Sequence, residues 1–127
     1  MNLNQVTMST ADIEQSKQFY QKMGFNLIVD TPHYLRFECP QGGATFSFSL
    51  ADKPKDTSAT TIYFEFDSND ALDEKVKALE ADGFDILEQP HDARYLWRVS
   101  FLRDPSGNRI CLYHGGEARL NPPWRVN

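Results

Sequence analysis

The sequence predicts an α+β fold: two βαβββ modules that pair into a cupped mixed sheet, with helices on the outer face. Two observations predict it. The first is a repeat. Gln5-Val6-Thr7-Met8-Ser9, a helix from about Asp12, and Met23-Gly24-Phe25-Asn26-Leu27-Ile28 make one copy. Thr61-Ile62-Tyr63-Phe64-Glu65-Phe66, a helix from about Asn69, and Asp82-Gly83-Phe84-Asp85-Ile86-Leu87 make the other. The Gly-Phe-Asx-aliphatic-aliphatic turn aligns without a gap. The second observation is that strand-like runs continue after each turn until both copies read β-α-β-β-β. One copy is too small to cover its own apolar face, so the two are expected to pack as a single domain over 1–127, with the site between the halves.

The elements follow in order. A strand is expected over Leu3 to Ser9. Asp12, with Gln15 three residues on, resembles a capping box. Ile13, Phe19, Tyr20 and Met23 fall on one helical face, and Gly24 is a left-handed stop. Strands are expected at Asn26 to Thr31, Tyr34 to Cys39 and Ala44 to Leu50, the last two joined by Pro40-Gln41-Gly42-Gly43. Module one thus covers about 1–50. Residues 51–59 read as a linker, broken by Pro54. Module two covers about 60–114. Its helix carries Leu72, Val76 and Leu79 at i, i+4, i+7 and stops at Gly83. Strands are expected at Phe84 to Gln89, Tyr95 to Leu102 and Arg109 to His114. Asp104-Pro105-Ser106-Gly107-Asn108 turns between the last two. The arm 115–127 shows no helix or strand pattern.

Composition narrows the function. The chain has 127 residues, 40% apolar, which suffices for a core. Aromatics at 13% suggest an aromatic-lined cavity as well. The net charge of −5, with no basic cluster, argues against a nucleic-acid partner. The acidity fits solubility, or a preference for a cationic or neutral ligand. Cys39 and Cys111 sit in strand-like runs and do not suggest a disulfide framework. The N-terminus enters a strand without a charged-then-apolar leader, and no apolar run approaches the roughly 20 residues of a membrane span. A cytoplasmic protein without membrane association is the expectation.

Three stretches carry a family resemblance. They are Ser16-Lys17-Gln18-Phe19-Tyr20 through Gly24-Phe25, then Phe64-Glu65-Phe66-Asp67, and Arg103-Asp104-Pro105-Ser106-Gly107-Asn108-Arg109-Ile110, the most specific. In order and spacing over roughly residues 3 to 114 the chain resembles the vicinal oxygen chelate superfamily, the glyoxalase, bleomycin-resistance and extradiol-dioxygenase fold. The resemblance implies a metal site of four strand positions in the metal-dependent members. The first, usually His, falls on Gln5. The second, usually Glu, Gln or His, falls on Ser47. The module-two His falls on Thr61, and the final Glu falls on Cys111. None of these is a His or a carboxylate, the donors a divalent site wants. No cofactor is therefore expected, and a divalent ion held off-pattern is the alternative. Without an ion, glyoxalase-type isomerisation and ring-cleaving dioxygenation lose their Lewis acid. The cavity remains. Metal-free members of the family sequester drugs such as bleomycin, so the resemblance implies small-molecule binding of the antibiotic-resistance type. It also implies a homodimer.

Strand alternation separates the faces. Val6 and Met8, Phe46, Phe48 and Leu50, Ile62, Phe64 and Phe66, and Ile110 and Leu112 are assigned to the core. Gln5, Thr7, Ser9, Thr45, Ser47, Ser49, Thr61, Tyr63, Glu65, Cys111 and Tyr113 are left for the cavity. Tyr34, Arg36 and Glu38 are possible additions, as are Trp97, Val99 and Phe101. Glu65 reads as a general base or cation ligand, or as an ion-pair partner of Arg36 or Arg98. Cys111 reads as a reactive thiol or an inert, half-buried one. Tyr63 and Tyr113 either stack on a planar ligand or pack on each other. His33, His91 and His114 read as surface or capping groups, or as an off-pattern metal site with Glu38 or Glu65. In the tail, Asn121-Pro122-Pro123-Trp124-Arg125 is stiff and aromatic, and Trp124 is expected to be buried.

The resulting expectation is a small-molecule binder for a partly aromatic or cationic ligand. Its contacts would be Gln5, Ser47, Thr61, Tyr63, Glu65, Trp97, Cys111 and Tyr113. The alternatives are a lyase, isomerase or dioxygenase-like enzyme using an off-pattern metal or Glu65 as acid-base catalyst, and an interaction module.

Overall fold

The computed structural model describes residues 1–51 and 60–126. Apart from Ala51, the expected linker lies outside the described residues. The described chain falls into two compact units. The first holds residues 1–51 with Asp104–Gly107, and the second holds residues 60–103 and 108–126.

The first unit runs β1 (Gln5–Thr10), α1 (Ile13–Met23), β2 (Asn26–Asp30), β3 (Tyr34–Glu38) and β4 (Thr45–Leu50). The second runs β5 (Thr61–Glu65), α2 (Asn69–Ala81), β6 (Ile86–Asp92), β7 (Arg98–Arg103), β8 (Arg109–His114) and a short α3 (Glu117–Leu120). The α+β expectation holds, and each unit is a βαβββ module. The sheet orders are β1-β4-β3-β2 and β5-β8-β7-β6. In both, the first strand pairs parallel with the last, and the other pairs are antiparallel. The sequence repeat is thus a topological one.

Its Gly-Phe signature has a physical cause. Gly24 (φ 113°) and Gly83 (φ 92°) take the left-handed conformation that ends a helix. Gly24 N–H donates to Gln21 and Phe25 N–H to Tyr20, at 3.1 and 3.0 Å. Gly83 donates to Glu80 and Phe84 to Leu79 at the same two distances. Both are Schellman closures, which satisfy the last helical carbonyls and turn the Phe back toward the core. At the other helix ends, Asp12 and Ser68 accept from the backbone N–H of Gln15 and Ala71.

Tyr20 anchors the first core. Its ring is fully buried among Phe19, Phe25, Phe37, Phe46 and Phe48. Its hydroxyl donates to Asp104 Oδ2 at 2.7 Å. Beside it the buried Thr10 hydroxyl bonds Ser16 at 2.7 Å and Ser106 at 2.9 Å. The turn at Asp104-Pro105-Ser106-Gly107-Asn108 therefore does more than reverse the chain: Asp104 and Ser106 satisfy polar groups in the first unit's interior. In the second unit Leu72, Val76 and Leu79 of α2 are buried, as are Ile62, Leu102, Ile110 and Leu112 of the sheet.

Several expectations are corrected. Val6 is 45% exposed and Leu50 is exposed as well, because α1 lies mainly over β2 and β3. β6 starts and ends later than expected. It carries two register shifts and accommodates Pro90 because it is an edge strand. β7 begins at Arg98 rather than Tyr95. Ala93 and Trp97 close a tight hairpin, with Ala93 N–H to Trp97 O at 2.8 Å and Leu96 at φ 70°. The arm is not featureless, since it forms α3. Trp124 is 58% exposed, not buried; it follows α3 in a turn closed by Arg125 N–H to Pro122 O at 3.0 Å.

Candidate ligand-binding site

The second unit's sheet has one face under α2 and one face that is aromatic. Register sets the aromatic face: Tyr63 is opposite Cys111, Phe101 opposite Cys111, and Val99 opposite Tyr113. Val99, Phe101, Cys111 and Tyr113 form its buried floor, with Ala93 and Trp97 packed against it. Trp97 stacks on Tyr113 at 4.6 Å between ring centres and 19° between planes. Tyr63 stands edge-on to both, 6.2 Å from Trp97 and 5.8 Å from Tyr113. Tyr95 meets Trp97 edge-on at 5.6 Å. Four rings thus form a cluster with stacked and perpendicular members, geometries that rings prefer. Tyr63 is 54% exposed, and Tyr95 is exposed beside it.

Gly115 makes this arrangement possible. A Cβ there would lie 3.2 Å from Trp97 Nε1 and 3.1 Å from Arg119 Cβ. The indole and the first turn of α3 occupy the space that a side chain would fill. Arg119 in turn places Nε 3.3 Å from Glu65 Oε2 at the rim of the aromatic face. Glu65 is therefore paired, but not with Arg36 or Arg98. Arg98 is held by Asp73 and Asp92, and Arg36 faces Tyr34. Thr61 opens β5, half-buried and opposite Arg109. Arg109 lies over the Phe101 ring at 4.1 Å and reaches Glu88 at 3.4 Å.

Cys111 is fully buried under these rings. Burial pushes its thiol up to about 12, against a smaller opposing pull from Arg109. Full burial, rather than the half-burial expected, and a raised thiol favour the inert of its two readings. Burial also raises the Tyr113 phenol, with Glu65 adding to the effect, and raises that of Tyr95.

The first unit's open face is polar. Gln5 accepts from Thr45 at 2.8 Å, and Thr7 and Ser47 share a 2.7 Å hydrogen bond. Ser47 itself is fully buried. Arg36 Nε donates to Tyr34 Oη at 3.0 Å. Within the second unit the structure brings Tyr63, Trp97, Cys111 and Tyr113 together with Glu65 at their rim, and within the first it gathers Gln5 and Ser47 on the polar face.

A recess of about 480 Å³ also opens in the second unit, lined by Asn69, Asp92, Leu96, Arg98, His114 and Glu117 among others. None of the expected contact residues lines it. Its arginine is already matched by two carboxylates, and His114 Nδ1 donates to Phe66 O at 2.7 Å. The aromatic face has the stronger set of unspent recognition groups.

The match to known proteins decides the family. The model of the Glyoxalase/Bleomycin resistance protein/Dioxygenase superfamily matches residues 2–112. The chain belongs to that superfamily. Among solved structures, a lactoylglutathione lyase from Agrobacterium tumefaciens is similar at 17% identity, over 90% of this chain and 93% of that one, with a TM-score of 0.76. A glyoxalase/bleomycin resistance protein/dioxygenase from Nocardioides gives 19% identity, 100% and 90% coverage, and a TM-score of 0.78. A family enzyme from Burkholderia phytofirmans PsJN gives 24% identity, 90% and 98% coverage, and 0.72. At these identities the likeness is one of fold. No curated protein is similar enough to the chain to count as a match.

A divalent ion at the superfamily's metal positions does not fit the residues present. Gln5 and Ser47 are already hydrogen-bonded to Thr45 and Thr7. Thr61 offers a neutral hydroxyl. Cys111 offers a single, fully buried thiol. Among the described residues, no three His, Cys, Asp or Glu side chains group as a metal would need.

Among the described residues no helix is long and apolar enough to cross a membrane.

Sequence reasoning missed two contributors, Tyr95 and Arg119. Tyr95 was read as a strand start, and Arg119 lay in an arm without a pattern. The spacing of Tyr95 and Trp97, in phase with Val99 and Phe101, was the available signal for the first.

Proposed function

We propose that this superfamily member is a small-molecule binding protein. It holds a planar, partly aromatic or cationic ligand against the Tyr63–Trp97–Tyr113 face, without a metal ion and without transforming it. The exposed Tyr63 edge standing over the Trp97–Tyr113 stack is the observation that carries this reading. A ring laid against such a surface gains about 0.5–1.5 kcal/mol per aromatic pair beyond area burial. A cation adds roughly 0.5–2 kcal/mol over the ring faces.

Glu65 extends the same logic. Its bond with Arg119 is solvent-exposed on both sides, and exposed pairs contribute about 0–1 kcal/mol. A ligand ammonium or iminium group can therefore replace Arg119 at small cost. Acid-base catalysis by Glu65 is the weaker reading, because no second titratable side chain pairs with it as a catalytic partner among the described residues; its one ion-pair partner is Arg119. A homodimer, which the resemblance implies, belongs to the same proposal, and light scattering would test it.

The test has two parts. Protein purified without chelator is assayed for bound metal, then screened by thermal shift against planar aromatic cations. Mass spectrometry then checks that each hit is recovered unchanged. Binding lost in Tyr63→Ala and weakened in Glu65→Ala is expected. Near-stoichiometric Zn, Ni, Fe or Mn, or conversion of a bound compound, would overturn the proposal.

A further inference from the structure

We propose that the polar face of the first unit carries a carboxylate-binding site, in which Arg36 and Tyr34 receive the anionic group of a small molecule. Arg36 is half-buried at the middle of β3. It spends Nε on Tyr34 Oη at 3.0 Å, and its guanidinium carbon lies 5.4 Å from the centre of that ring. Among the described residues, no carboxylate pairs with it.

This sets Arg36 apart from the ion-paired arginines. Arg98 pairs with Asp73 and Asp92, Arg109 with Glu88, and Arg119 with Glu65. Among the described acids of the first unit, Glu38 accepts from Asn26 at 2.6 Å and Asp30 takes Lys17 at 3.3 Å. A guanidinium has five N–H donors in a planar fork that matches a carboxylate. A partly desolvated cation without a counter-charge is costly, and a bound anion relieves that cost.

The neighbours complete the site. Arg36 is opposite Ser47 and Tyr34 opposite Ser49, so positions 34, 36 and 47 share one face. Tyr34 Oη accepts from Arg36 at 3.0 Å and is also hydrogen-bonded to Ser47 and Gln5, which hold the phenol in place beside the guanidinium. Hydrogen bonding to Ser47, then to Arg36, holds the phenol below the ordinary tyrosine value, so it is a better donor than an isolated tyrosine. The Thr7–Ser47 bond fixes the buried hydroxyl behind it. Among the described residues Arg36 is the one cation on this face, and the chain carries a net −5. That favours a carboxylate monoanion over a phosphate dianion, which would ask for a second positive group.

The proposed site lies on the first unit, and its test reads residues of that unit with a ligand that has no aromatic ring. Cyclohexanecarboxylate, which has no aromatic ring, is titrated into the protein beside its neutral amide and inorganic phosphate. Amide signals of residues 34, 36 and 47 are followed by NMR. The acid is expected to saturate those signals, with the amide at least about tenfold weaker. Arg36→Gln should weaken the acid by about tenfold or more, and Arg36→Lys, which keeps the charge but loses the fork, by several-fold. Tyr34→Phe should weaken it by a smaller factor. Equal binding of acid and amide, phosphate binding more tightly than the acid, or an unchanged titration in a folded Arg36→Lys would overturn the proposal.

Discussion

Replacing Tyr20 by Phe removes one oxygen atom from the middle of the first unit. The ring should stay, since Phe19, Phe25, Phe37, Phe46 and Phe48 contact its faces and edges rather than its hydroxyl. What goes is a 2.7 Å bond from a fully buried phenol to the buried carboxylate of Asp104. Hydrogen bonds to charged groups contribute about 1.5–3 kcal/mol, and withdrawing a donor from a buried carboxylate adds to the loss. The expected destabilisation is about 2–3 kcal/mol. That corresponds to a fall in Tm of roughly 8–12 °C for a chain of this size. Urea unfolding followed by circular dichroism measures it, with an unchanged m-value showing that the same surface is exposed. The partner variant Asp104→Asn should not be additive with it, since the two groups share one bond. A loss below about 0.5 kcal/mol, or full additivity, would refute the claim that this bond ties the Asp104 turn into the first unit's core.

Three further outcomes follow from the same structure. Gly115→Ala forces Trp97 and Arg119 to yield by a few tenths of an ångström. It should cost only about 1 kcal/mol in stability yet weaken aromatic-ligand binding several-fold, and unaltered ligand affinity would contradict the role given to Gly115. In a Cys39→Ser background, alkylation of Cys111 at pH 8 should run roughly a thousandfold slower in the folded protein than in urea; comparable rates would mean that the thiol is not held protonated. Tyr20, Tyr95, Tyr113 and Cys111 all bind their protons more tightly in the folded chain. Their contribution is complete below the unfolded-state values of about 8.5–10 and is lost as pH rises through and beyond them, with Tyr34 acting in the opposite sense. Urea midpoints should therefore fall between pH 8 and pH 10.5, and a flat or rising series would contradict this.

Much of the fold was legible because its signals are local and stereochemical. Gly24 and Gly83 adopt positive φ at helix ends, a task that few other residues perform, so they mark the ends of α1 and α2 and align the repeat. The strand at Arg109–His114 has the expected ends because Asn108 closes a turn and alternation runs unbroken to His114. The hairpin before β7 was illegible for the converse reason. Leu96 takes φ 70° without being Gly, Asn or Asp, so nothing in the residue type announces a turn. Alternation through Tyr95, Trp97, Val99 and Phe101 then read as one continuous strand. The face assignment nevertheless survived, because Trp97 keeps its phase with Val99 and Phe101. The partner of Glu65 was illegible for another reason. Arg119 sits on a four-residue helix, too short for any periodicity, and the pairing depends on how the arm folds back past Gly115.

The central claim is that the Tyr63–Trp97–Tyr113 face takes up an aromatic ligand. A Trp124→Phe variant leaves Trp97 as the sole tryptophan, and its fluorescence can be titrated with acridine orange, a planar cation. Saturable quenching is expected, weakened about tenfold by Tyr63→Ala, in line with the loss of one ring contact and one cation–π contact. Quenching that never saturates, or that Tyr63→Ala leaves unchanged, would contradict it.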